Sequence, residues 1–300
     1  MVSAAPNNWT ISPITGVFGA ELTGAQVRDG IDGEWLMGVL EQHLVVVLRD
    51  QYLSHAEQVA LARALGEPTP AHPVVPGHPD FPEILELDGA NGGRNARWHT
   101  DVTFVATPPA ASILAADVLP STGGDTMWAD LRSSYERLAA PLRTLVDQLE
   151  AVHRISPLAY WGEPFDTALS REDATQLAKA AVDVPPVVHP VVRVHPSTNR
   201  PSLFVNPGFT SHIVGFSRIE SDALLDMLYA HTTQPEVVLR HHWRPGDVVM
   251  WDNRATMHYA TDDYGTTERR MRRVTLRGDT PFGSTGVKSY IPDDPLITTR

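Results

Sequence analysis

A mainly β chain with flanking helices, arranged as a jelly roll, is the fold this sequence predicts, and three observations carry that reading. Strand-like runs are short, β-branched and punctuated by turn residues; they crowd the second half of the chain; and helix signals are confined to a few segments with recognisable caps. Leu44-Val-Val-Val-Leu48 is apolar at every position, which predicts a strand buried on both faces. Ser54-His-Ala-Glu57 then offers a capping box for a helix that Gly66 can close. Ser217-Arg-Ile-Glu220 repeats the device ahead of a helix with Leu224, Leu225 and Leu228 on one face, and further helices are expected around 133–149 and 170–182. Strands are expected at Ile113–Leu119, Val187–Val194, Leu203–Val205, Val237–Trp243, Val248–Trp251 and Val274–Leu276. Pro245-Gly246-Asp247 and the polar stretch from Thr261 to Thr267 read as turns that join neighbouring strands, so the sheets should be antiparallel.

Composition bounds the function. With 300 residues, 42% of them hydrophobic, the chain can build an ample core without staples, and it reads as a single domain over 1–300 with helical insertions. Residues from about 284 to 300 look like a tail of unassigned role. A net charge of −12 opposes general attraction to phosphate backbones or anionic lipid, so neither a nucleic acid nor a membrane is expected as partner. The absence of cysteine removes disulfides, thiolate zinc sites, iron–sulfur clusters and thiol nucleophiles together, and leaves any metal to His and carboxylates. The start, MVSAAPNNWT, has no basic or apolar leader, so a cytoplasmic soluble protein is expected, as a homo-oligomer.

Trp98-His99-Thr100-Asp101 is the most informative segment. If it is extended, alternation puts His99 and Asp101 on one face, spaced as a chelating pair. A third ligand must come from far along the chain, and His258 is the best candidate. Two His and a carboxylate on one face of an octahedron leave three positions open, as non-haem iron(II) oxygenases require. Alone the triplet identifies nothing, because with 13 His and 36 acidic residues it arises readily by chance. Arg269-Arg270-Met271-Arg272-Arg273 is the sharpest basic cluster. As a solvated strand edge it would be unremarkable, but as a strand it places Arg269, Met271, Arg273 and Thr275 on one face, so two arginines could enter one pocket, with Arg270 and Arg272 on the other.

Trp98-His-Thr-Asp-Val-Thr-Phe104 with Pro108-Pro-Ala110, Leu119-Pro-Ser-Thr-Gly-Gly-Asp-Thr126-Met-Trp128, Phe204-Val-Asn-Pro-Gly-Phe209 and Trp251-Asp-Asn-Arg254 through His258-Tyr259 together resemble the taurine dioxygenase family, over nearly the whole chain. The resemblance implies a double-stranded β-helix carrying iron(II) on His99, Asp101 and His258, with 2-oxoglutarate and O2 as co-substrates. It implies that Arg269, eleven residues after His258, holds the far carboxylate of 2-oxoglutarate with help from Thr126, and that Arg273 pairs with a substrate sulfonate. It further implies that His72 hydrogen-bonds that anion, that Asn95 lies near the substrate amine, and that Val102, Phe104 and Phe209 line the pocket. The activity so implied is hydroxylation of the carbon next to sulfur in taurine or a related small sulfonate, releasing sulfite and an aldehyde with succinate and CO2. Alkyl sulfates or longer alkanesulfonates are the alternative substrates, since Arg273 and His72 would read the oxyanion and not its tail.

Two departures bear on that choice. Arg94 stands where an acidic residue would favour an ammonium group, and Val75 replaces a tyrosine near the metal. A non-catalytic metal- or anion-binding β-barrel and a zinc hydrolase on the same ligands remain as rivals, but neither gives Arg269 and Thr126 a task.

Overall fold

The computed structural model describes residues 8–73, 75–89, 95–155 and 184–293. The expected helix at 170–182 and the Arg94 position lie outside them. Among the described residues the architecture is mainly β. A seven-stranded sheet runs in the spatial order Thr10–Pro13, Ala20–Thr23, Val45–Leu48, Val248–Asp252, Ala111–Val118, Arg270–Leu276, Leu85–Asp88. All neighbours pair antiparallel except Ala20–Thr23 with Val45–Leu48, which is parallel. A three-stranded sheet, Val238–His241, Thr126–Asp130, Thr256–Ala260, faces it, and smaller sheets of Thr210–Ile213, Glu150–His153, Val187–Pro190 and of Pro201–Leu203 with Val192–Val194 complete the β framework.

Alternation along the central strands explains why they are apolar at every position. Val45, Val47, Leu114, Val249, Trp251 and Met271 pack with Trp128 and Leu239 of the facing sheet. Val46, Leu48, Ile113, Ala115, Met250, Val274 and Leu276 point the other way, into a layer with Leu36, Val39 and Leu40 of the helix Gly33–His43 and Val59, Leu61 and Ala62 of the helix His55–Leu65. Burying both faces of a strand this way contributes roughly 1.5–3 kcal/mol for each large aliphatic side chain. Gln58 of the second helix is tied to the sheet by donating to the carbonyls of Ile113 and Arg272.

Both capping boxes form, at Ser54 with Glu57 and at Ser217 with Glu220, and the latter opens the helix Arg218–Thr232. The helix expected around 133–149 is instead two short ones, Leu131–Arg137 and Ala140–Val146. Pro141 accounts for the break: its ring and missing N–H are tolerated in a first turn but not in mid-helix. The strand expected over Val187–Val194 divides at Val191, whose N–H donates to Leu149 while its carbonyl accepts from Phe204, so the chain changes partners there. The expected strand at Leu203–Val205 lies earlier, at Pro201–Leu203. The segment following Asp279 is no loose tail up to Tyr290. Gly283 and Val287 close a small hairpin, and Tyr290 exchanges both backbone hydrogen bonds with Val188.

Candidate active site

His99 and His258 meet because their backbones do. Each N–H donates to the other's carbonyl, at 3.0 and 2.7 Å, which locks two distant segments together along the edge of the three-stranded sheet. Gly208 lies against this bridge, where a Cβ would come within 2.7 Å of the His99 Cβ, so no side chain is accommodated there.

Asp101 reaches the same place by a route that alternation does not describe. The chain is not extended beyond His99: residues 101–104 form a turn in which Val102 takes φ 55°, a left-handed value that is strained for a β-branched residue. That turn is clamped. The Asp101 N–H donates to Asn253 Oδ1 at 2.8 Å, and Asn253 Nδ2 donates to the carbonyls of Asp101 and Pro109, each at 3.0 Å. Thr100 Oγ1 donates to the Thr256 carbonyl and fixes the preceding residue. Ser112 Oγ donates to Asp101 Oδ2 at 2.7 Å, which leaves Oδ1 turned towards the imidazoles, 3.7 Å from His99 Nε2 and 4.0 Å from His258 Nε2.

The protonation states suit a metal. His99 Nδ1 donates to the Arg97 carbonyl at 2.9 Å, so its Nε2 carries the lone pair and accepts from Asn95 Nδ2 at 3.3 Å. Burial lowers the pKa of both His99 and His258 and keeps them neutral. Burial alone would raise Asp101, but opposing interactions, the charge of Arg273 first among them, hold the carboxyl well below its ordinary range. Neutral imidazoles beside an ionised carboxylate are what a divalent cation needs, and ligands about 2.0–2.2 Å from one ion lie within about 4.4 Å of each other. The three donors of His99, Asp101 and His258 all fall within 4.8 Å of one another, and all three residues are buried.

Arg273 and Arg269 are both buried, as expected of an inward pair, but they do different things. Arg273 donates through Nη1 to Asp101 Oδ1, and its Nε finds no partner among the described residues. Arg269 donates through Nε to the Gly124 carbonyl at 3.1 Å, two residues before Thr126, and lies 6.0 Å from the Tyr264 ring centre; its Nη2 is buried without a partner among the described residues. Thr126 is buried at the start of its strand, where its Oγ1 accepts from Trp243 Nε1. The other face of the arginine strand departs from simple alternation. A register shift separates Arg270 from Met271, so Arg270 is solvated while Arg272 is buried against Asp117 and the Leu53 carbonyl.

His72 is buried, its ring 5.9 Å from that of Phe104, and burial with the nearby Arg273 lowers its pKa to about 3. Phe104 and Phe209 stack edge to face at 4.9 Å, Phe209 lies 6.1 Å from the His99 ring, and with Val102 and Ile155 they form an apolar cluster beside the triad. Asn95 donates to His99 Nε2, the nitrogen that faces the carboxylate of Asp101. Ser112 and Asn253, which orient Asp101, escaped the sequence reading as functional residues. Ser112 is one polar position inside a strand, and Asn253 was visible only as part of Trp251-Asp-Asn-Arg254.

A jelly roll that gathers two buried imidazoles and a carboxylate beside the edge strand Thr256–Ala260 defines a β framework with a candidate metal site. Residues 10–275 match the model of the taurine catabolism dioxygenase TauD, TfdA family, and the chain belongs to that family. It is 41% identical to an alpha-ketoglutarate-dependent sulfate ester dioxygenase of Pseudomonas putida over 92% of each chain. It is 40% identical to an alkylsulfatase of Acinetobacter baylyi, over 94% of this chain and 89% of that one. A crystal structure of a taurine dioxygenase from Burkholderia xenovorans superposes with TM-score 0.80 at 36% identity, covering 96% of this chain and 97% of that one. As the family implies, the chain is a 2-oxoglutarate-dependent dioxygenase.

Proposed function

We propose that this dioxygenase binds iron(II) on His99, Asp101 and His258 and oxidises the carbon bearing the sulfur oxyanion of a small alkyl sulfate ester or alkanesulfonate. The observation that carries the reading is the grouping of a neutral His pair and an ionised Asp with two buried arginines that keep unpartnered N–H donors. Iron(II) bound there would supply oxygen activation coupled to decarboxylation of 2-oxoglutarate to succinate and CO2. The rest is positioning by the chain. Arg269 and Thr126 take the far carboxylate of 2-oxoglutarate, a planar fork meeting a planar anion. Arg273 and His72 take the sulfur oxyanion, and the strand Arg270–Leu276, which carries Arg273 and directly follows Arg269, sets the spacing of the two arginines.

The tail preference follows from the wall. Val102, Phe104, Ile155 and Phe209, with Val105 and Val184 against them, offer apolar contact suited to an alkyl tail. We therefore favour an amine-free alkyl tail over taurine, in keeping with the sulfate ester and alkyl names of the relatives. A hydroxylated sulfate ester collapses to an aldehyde and sulfate, whereas a hydroxylated sulfonate collapses to an aldehyde and sulfite. The deciding experiment supplies iron(II), 2-oxoglutarate and air with a panel of alkyl sulfates, alkanesulfonates and taurine, and measures succinate, sulfate and sulfite. Turnover restricted to taurine would overturn the tail assignment, and succinate formation indifferent to every sulfur oxyanion would overturn the substrate class.

A further inference from the structure

We propose that His55, His78 and Glu86 form a second metal site, on the helix-facing side of the large sheet, that takes a borderline divalent cation such as Zn(II) or Ni(II). Three elements bring the donors together. His55 is the first residue of the helix His55–Leu65, His78 sits in a turn closed by its bridge to Phe81, and Glu86 lies on the edge strand Leu85–Asp88, in register with Arg272. The donor atoms lie within 4.8 Å of one another, with His55 Nε2 4.0 Å from Glu86 Oε1. The site is separate from the dioxygenase triad: Arg272, not Arg273, is its neighbour on the strand, and the two side chains face opposite sides.

A plain aromatic cluster is the competing account, since the rings of His55, His78 and Phe81 lie 4.9–5.6 Å apart. It does not explain His55 Nε2, which is covered from solvent yet has no hydrogen-bond partner among the described residues. Two features oppose a cation: the helix N-terminus and Arg272. Arg272 is already neutralised by Asp117 at 2.8 Å, and Glu86 adds a further negative charge on the same side. His78 Nδ1 accepts from the Asp80 N–H at 3.1 Å; ligation through Nε2 would shift the ring proton and give up that bond, in a loop where water replaces it. Glu86 is 58% exposed and long enough to close the last few tenths of an ångström. Two imidazoles and one carboxylate select zinc, nickel, cobalt or copper over magnesium or calcium, which prefer all-oxygen sites.

The test is Zn(II) titration calorimetry on the full chain carrying His99→Ala and His258→Ala, which removes the triad. One equivalent should still bind with a Kd of about 10 µM or tighter, weaken at least about tenfold with added His55→Ala or His78→Ala, and weaken also with the near-isosteric Glu86→Gln. Circular dichroism on each variant separates lost folding from lost ligation, and the unaltered chain should bind two equivalents where its His55→Ala variant binds one. A double variant that binds no Zn(II) tighter than about 1 mM overturns the proposal. So does residual binding that survives both added His substitutions, which would mark it as adventitious.

Discussion

Asn253→Ala isolates the clamp on the metal-site turn. The Asn253 side chain is wholly buried and makes three hydrogen bonds, accepting from the Asp101 N–H and donating to the carbonyls of Asp101 and Pro109. Truncation strands one buried donor and two acceptors, each worth about 1–3 kcal/mol when unpaired, and partial relaxation brings the total to about 2–4 kcal/mol. The loss falls on the segment where Val102 is held at φ 55°, so relaxation of that residue should carry Asp101 away from the imidazoles. We expect Mn(II) affinity, measured by calorimetry in the absence of oxygen, to drop about 10- to 100-fold. Asn253→Asp should be worse than Ala, because it turns an acceptor towards two carbonyls. If Asn253→Ala lowers only the urea midpoint and leaves Mn(II) affinity unchanged, Asn253 is part of the scaffold and the turn is held by Thr100 and Ser112 instead.

His99→Ala should abolish metal binding at the triad while leaving the fold intact, because the bridge to His258 is made by backbone atoms; loss of the circular dichroism signal would contradict this. Asp101→Ala should abolish it too but also destabilise the metal-free chain by about 3–5 kcal/mol in urea, since Arg273 would be left buried and unpaired; equal stability of the two variants would refute the pairing. Arg269→Ala should weaken 2-oxoglutarate binding at least about tenfold, by loss of a charge-assisted pair, with little change in dependence on the sulfur substrate; the opposite pattern would mean that the arginine roles are exchanged. In the metal-free chain His72 and His189 together should contribute a loss of about 2–3 kcal/mol of stability between about pH 7.5 and 5.5. His72 and His189, both buried, have pKa values lowered from 6.5 to about 3, so the unfolded state alone gains protons as pH falls below 6.5, at about 1.4 kcal/mol per unit and group. A flat urea midpoint over that range would refute the buried neutral state.

The grouping of His99, Asp101 and His258 is legible in the sequence through the order of many matched segments, although alternation along an extended segment is not the geometry the molecule uses. His99 and Asp101 share a site because a clamped turn redirects the chain, and no hydrophobic period reports a left-handed valine. The strands from Val45 to Leu48 and from Val248 to Trp251 were plain because burial on both faces leaves an uninterrupted apolar run. The buried polar column behind the pocket was invisible. His189 Nε2 donates to the Thr103 carbonyl at 2.7 Å while its Nδ1 meets Ser289 Oγ at 2.5 Å, and Thr103 Oγ1 contacts His153 and Asn206. Those contacts join residues 50 to 103 positions apart, and they make the hairpin before Tyr290 part of the support for the Asp101 turn. Local sequence carries no trace of such a partnership, which is why that segment read as an uninformative tail.

The net charge of −12 argues against polyanionic partners while the proposed function asks the pocket to take small anions, and distance reconciles the two. Surface charges more than about 8–10 Å away are screened by physiological salt, so the acidic exterior weakens long-range steering without reaching the interior. Inside, the arginines have already been stripped of water. Arg193 with Asp279, Arg254 with Asp252 and Arg272 with Asp117 spend their charge on carboxylates of the scaffold. Arg269 has no carboxylate partner among the described residues, and Arg273 is paired with the one carboxylate that a metal would also claim. A cation arriving on Asp101 would compete for the oxygen that Arg273 holds, leaving the guanidinium in search of another anion in a pocket where His72 is its neighbour. On the proposed reading, metal loading and oxyanion binding would be coupled through a single carboxylate oxygen, and the desolvation of Arg273, already met on folding, would not have to be met again when substrate enters.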